Sequence, residues 1–128
     1  MINFIQNETL RRAVHVEPRS IQRIQRHTDE TLTLYLGGTF YCSIMSSVES
    51  VLSLLAKANI LFVKVPDVVL ECDVYVNIDA IIGIVTDPCY DTIMTDIALL
   101  NNGIVSTNLS VEEVALRINE VKRENRQY

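Results

Sequence analysis

The sequence predicts an α+β fold of two pseudo-repeated strand-strand-helix units, with antiparallel strands and one helix per half. Three observations carry that expectation: matching apolar alternations in the two halves, a glycine- or asparagine-rich turn after each, and a serine-led helix closing each. The units are expected at about residues 14–58 and 74–124 of one domain covering residues 1–128, with a valine-rich connector at 60–73.

Taken in order, Val14, Val16, Ile21 and Ile24 recur 60 residues later as Val74, Val76, Ile81 and Ile84. Next, Leu32, Leu34 and Leu36 alternate before Gly37-Gly38, and residues 97–100 run into Asn101-Asn102-Gly103. Gly-Gly and Asn-Gly are expected to supply the positive φ angles of tight hairpin turns, so the flanking strands should pair antiparallel. Each half then opens a helix with a similar phrase, Ser47-Val48-Glu49 and Ser110-Val111-Glu112. Ser110 with Glu113 forms a capping box, whereas Ser47 finds only Ser50 at the partner position. Val111, Val114, Ile118 and Val121 make a helical stripe expected to face a sheet. The broader face of Val48, Val51, Leu52, Leu54 and Leu55 predicts the more buried helix. In the connector, strands are expected at 60–65 and 68–70 around a turn at Pro66-Asp67, with Pro66 favouring an edge. Residues 86–91 read as a surface loop and 123–128 as a fraying tail.

Composition narrows the class. Of 128 residues, 48% are apolar and 21% charged, an ordinary globular balance. No apolar run reaches the roughly 18 to 20 residues of a membrane span, and residues 1–10 lack the pattern of a signal peptide. The expected location is cytoplasmic, in a bacterial host cell. Cys42, Cys72 and Cys89 form no C-x-x-C pair and read as buried hydrophobes or free thiols.

The net charge of −5 is segregated. Arg11, Arg12, Arg19, Arg23 and Arg26 face only Glu8 and Glu17 in the first 27 residues. From 29 to 113, twelve acids oppose Lys57 and Lys64. After that Arg117, Lys122, Arg123 and Arg126 outnumber Glu120 and Glu124. Overall acidity disfavours nucleic acid, because attraction to phosphate scales with the cations offered locally.

No catalytic pattern stands out. The four glycines make no phosphate loop. Asp87, Asp91 and Asp96 lack the rest of a calcium loop, and His15 and His27 have no recognisable nucleophile beside them. No enzyme activity, cofactor or metal is expected. Binding is favoured instead. Arg19, Arg23 and Arg26 are spaced to share a face if helical, and Arg19 and Arg23 share one in a strand. Guanidinium groups suit phosphate or carboxylate because they donate two parallel hydrogen bonds. Tyr35, Phe40 and Tyr41 surround the Gly-Gly turn and can stack on a base. Arg117, Lys122 and Arg123 add a basic end to the last helix, where the dipole favours cations anyway.

The phrases Phe62-Val63-Lys64-Val65, Val76-Asn77-Ile78-Asp79-Ala80-Ile81 and Leu99 with Asn102-Gly103, then a serine-led helix, resemble the LytTR type of DNA-binding domain. The second half alone is similar to the short flagellar FlbD family. The resemblance implies a transcriptional or flagellar regulator. Against it, the stretch Pro66 to Tyr75 carries Asp67, Glu71 and Asp73 and no cation, a poor surface for DNA. The leading expectation is therefore a non-enzymatic, homo-oligomeric protein of phage or bacterial accessory or anti-defence type. Its expected partner is a protein or a small anionic, nucleotide-like ligand. Self-association is expected because the valine-rich residues 68–76 look too apolar for an open edge.

Overall fold

A computed structural model describes residues 2–7, 12–28, 30–37, 40–89 and 92–125; for 2–7, 12, 13, 89, 92 and 93 it describes the backbone alone. The first half runs β1 (Ile2–Asn7), β2 (Arg12–Val16), a 3-10 turn (Pro18–Ser20), β3 (Arg23–Thr28), β4 (Thr31–Gly37), β5 (Phe40–Met45) and α1 (Val48–Lys57). The second runs β6 (Phe62–Asp67), β7 (Cys72–Asn77), a 3-10 turn (Ile78–Ala80), β8 (Ile81–Cys89), β9 (Thr92–Leu99), a short turn (Leu100–Asn102), β10 (Ile104–Thr107) and α2 (Val111–Glu124). The fold is α+β with antiparallel sheets throughout. Hairpin, 3-10 turn, three strands and helix follow one another in each half, so each half holds more strands than the expected strand-strand-helix unit.

The strands assemble across the halves. One sheet has the order β5-β4-β3-β7-β6, a second β10-β9-β8, and a third β1-β2. The junction is the pairing of β3 with β7, in which Arg23, Ile24 and Gln25 oppose Val76, Tyr75 and Val74. Asn77 extends it: its backbone N–H donates to the Gln22 carbonyl and its buried amide to the Ile21 carbonyl, both at 2.8 Å.

Directly opposed residues lie on the same side of a sheet. The row Cys42, Leu34, Ile24 therefore faces one way, and the row Tyr41, Tyr35, Arg23, Val76, Val63 the other. Cys42, Leu34 and Ile24 join Leu32, Ile44 and the α1 residues Val48, Val51 and Leu55 in one core. Val76 and Val63 join Val65, Val74, Ile97, Leu99, Val105 and Val114 in another. The shared sheet thus supports one core on each of its faces, at opposite ends.

Several expectations change. The connector is the hairpin β6–β7, whose turn falls at residues 68–71, where a strand was expected. Asp67 holds that turn by accepting from the Val69 and Leu70 N–H groups at 2.9 and 3.1 Å. Pro66 does sit on an edge strand. The valine-rich segment is no open edge, since β7 is flanked by β3 and β6. Strand β8 extends through residues 86–89 of the expected 86–91 loop; Tyr90 and Asp91 lie outside the described residues. In the second hairpin the left-handed conformation comes from Asn101 and Asn102, at φ 60° and 70°, while Gly103 is ordinary at −76°. In the first, Gly37 has φ 121° and Gly38 lies outside the described residues.

The helix expectations hold. Ser110 and Glu113 form the complete capping box, and Ser47 accepts from the Ser50 N–H. The first helix buries Val48, Val51 and Leu55 and the second only Val114, although Leu54 points outward. The second helix continues to Glu124, with 126–128 outside the described residues. No helix among the described residues is long and apolar enough to cross a membrane.

Candidate functional site

The outward face of β3, β4 and β5 gathers the most distinctive side chains. On it the register places Tyr41 beside Tyr35 and Tyr35 beside Arg23. The tyrosine rings are 6.0 Å apart and tilted by 40°, and the Arg23 guanidinium lies 4.2 Å from the Tyr35 ring centre. Such contacts contribute about 0.5–1.5 kcal/mol each. Tyr35 donates to Gln25 Oε1 at 2.7 Å, and Gln25 donates to Cys72 Sγ at 3.6 Å. Burial pushes the Tyr35 phenol up, and the nearby Arg23 charge opposes that rise. Further along β3, His27 bonds Thr33. At the rim, Phe40 and Tyr41 are 68% and 63% exposed.

Arg23 is also a strut between the halves. Its Nη1 donates to the Ile104 carbonyl at 3.3 Å and lies 3.6 Å from Asp67 Oδ2. The Asp67 side chain is only 2% exposed and that of Arg23 20%. A carboxylate buried so deeply needs its cation, so the Arg23 charge is largely committed inside the protein.

The eight residues singled out in the sequence do not converge on one point. Arg23, Tyr35 and Tyr41 come together as described. Arg19 is exposed on the first 3-10 turn. Arg26, three residues beyond Arg23 in the strand, turns to the opposite face. There it lines a recess of 140 Å³ with Lys64, Cys72, Asp73 and Tyr75. Lys64 pairs with Asp73 at 3.7 Å and sits 6.0 Å from the Tyr75 ring centre. Arg117 donates to the Lys64 carbonyl at 2.7 Å, while Lys122 and Arg123 are exposed on the last turn of α2. The arginine face expected from spacing is split because β3 is a strand.

Sequence reasoning missed Gln25 and Asp67. Asp67 was legible as a turn residue and as one acid of an acidic stretch, and its pairing with Arg23 depends on the β3–β7 junction. Among the described residues no three His, Cys, Asp or Glu side chains cluster as a metal site. Cys42 is buried and Cys72 half-buried, both as free thiols, and burial pushes the Cys42 thiol up. No family model matches the chain, and neither a curated protein nor a solved structure matches it.

Proposed function

We propose that this is a non-enzymatic binding protein that engages a protein partner through the aromatic face of β3, β4 and β5. The observation that carries the proposal is the exposed Tyr41 beside Tyr35, whose ring is held in place by Arg23 and Gln25, with the exposed Phe40 preceding Tyr41 at the rim of the strand. Large aromatic side chains on a rigid strand add contact area at little entropic cost, the chemistry of protein-interface anchors. A free phosphate would have to compete with Asp67 for Arg23, which makes an anionic nucleotide-like ligand the less favoured occupant.

The test is native mass spectrometry of protein purified from its natural cells, compared with Phe40→Ser/Tyr41→Ser. The proposal expects a co-purifying protein with the native chain, lost in the variant without change in circular dichroism. Adenosine diphosphate is titrated in parallel, following tyrosine fluorescence. Saturable quenching by the nucleotide, with no retained protein, would replace the protein-partner reading.

The second reading is a DNA-binding regulator of LytTR-like or FlbD-like type, favoured by the exposed Arg19, Lys122 and Arg123. A mobility shift on random duplex at two salt concentrations separates it. Retardation that collapses as salt rises would support DNA binding, and no shift at low salt removes it.

A further inference from the structure

The two halves differ in one strand partner. In the first, β3 has β4 on one side and β7 on the other. In the second, β8 occupies the place of β3 in the element order, directly after the 3-10 turn. Among the described residues β8 pairs only with β9, which leaves its other edge unpaired. The strand itself exposes apolar side chains: Ile82 is 65% exposed and Val85 58%. A side chain added at Gly83 would meet nothing within 4 Å. An apolar strand with a free row of N–H and C=O groups is a template for another strand.

The strand that fits can be read from the junction already present. β7 lies on β3 and precedes its own 3-10 turn, as β2 does in the first half. Val74 opposes Gln25, and the positions 60 residues away are Val14 and Val85. Within the chain β2 pairs with β1 and not with β8. Charge points the same way. Residues 79–96 carry Asp79, Asp87, Asp91 and Asp96 and no Lys or Arg, whereas residues 11–19, which include β2, carry Arg11, Arg12 and Arg19 against Glu17. We infer that the free edge of β8 is completed by β2 of a second copy of this chain, paired antiparallel with Val14 opposite Val85. This surface is separate from the aromatic face, so the two readings fail independently.

The test has two arms, both on the full chain. Native mass spectrometry and light scattering are expected to show a dimer or larger species. Val85→Lys sets a cation against the cation-rich segment and is expected to weaken assembly at least tenfold relative to Val85→Glu. Equal assembly of the two, or a monomeric native chain, overturns the inference. In the second arm, Val14→Cys and Val85→Cys are combined with Cys72→Ser and Cys89→Ser and oxidised. Opposed strand residues lie at disulfide-forming distance, so a cross-linked species of twice the chain mass is expected. A disulfide confined to single-chain mass means that the chain closes on its own β2, and absence of any cross-link places the interface elsewhere. Either outcome overturns the inference.

Discussion

The outward rows of the two three-stranded units invite direct comparison. In the first half, β3, β4 and β5 present Arg23, Tyr35 and Tyr41 in register; in the second, β8, β9 and β10 present Gly83, Ala98 and Ile104. Behind each row lies an apolar layer, Ile24 with Leu34 and Cys42 in one, Ile84 with Ile97 and Val105 in the other. The scaffold needs the layers behind, while the rows in front are free to differ. One is a junction and an aromatic surface. The other has only Gly83 and Ala98 on β8 and β9.

Substitutions at matched positions sharpen the comparison. The largest effect is expected at Ile24→Ala, a fully buried position, at about 3 kcal/mol in urea unfolding. Ile84→Ala should cost roughly half that, because Ile84 is only partly buried. Equal losses would show that the second core is closed as tightly as the first. Next comes Arg23→Ala, at about 2 kcal/mol, since it strands the buried Asp67 carboxylate. Gly83→Ala, at the matching place, should be neutral or stabilising by up to about 1 kcal/mol. The caps follow. Ser110→Ala should cost about 1 kcal/mol and Ser47→Ala about half as much, because only Ser110 belongs to a capping box.

The smallest effect concerns pH. Burial holds the Tyr35 phenol above its ordinary value of 10.0, with Arg23 opposing. The folded state thus favours the neutral phenol. Its contribution is complete below pH 10 and declines as pH rises from there through the folded pKa. Tyr35→Phe should flatten that part of an alkaline stability profile, a contrast the second half lacks because Ala98 stands opposite Gly83.

Local signals were legible in the sequence wherever local physics decides. The Ser110–Glu113 box, the helix stripes and the antiparallel turns all rest on neighbours a few residues apart. What escaped was long-range. The β6–β7 hairpin looked like a connector because the neighbours Phe62 and Val63 are both buried, one in each core, so the run shows no clean alternation, and Pro66 interrupts it. Its attachment to β3 has no local signature. Arg23 therefore read as a free cation, and the regrouping of the arginines followed from whether residues 23–28 form a strand or a helix.

The β3–β7 pairing also bears on synthesis. As the chain emerges from the ribosome, the first half is complete through α1 before β7 exists, and until then β3 lacks its second neighbour. Folding must therefore wait on a late segment, a pairing between distant parts of the chain that slows closure and prolongs exposure of an apolar edge. A chain arrested after α1 would present to a chaperone the same kind of unpaired strand edge that β8 shows among the described residues of a single chain.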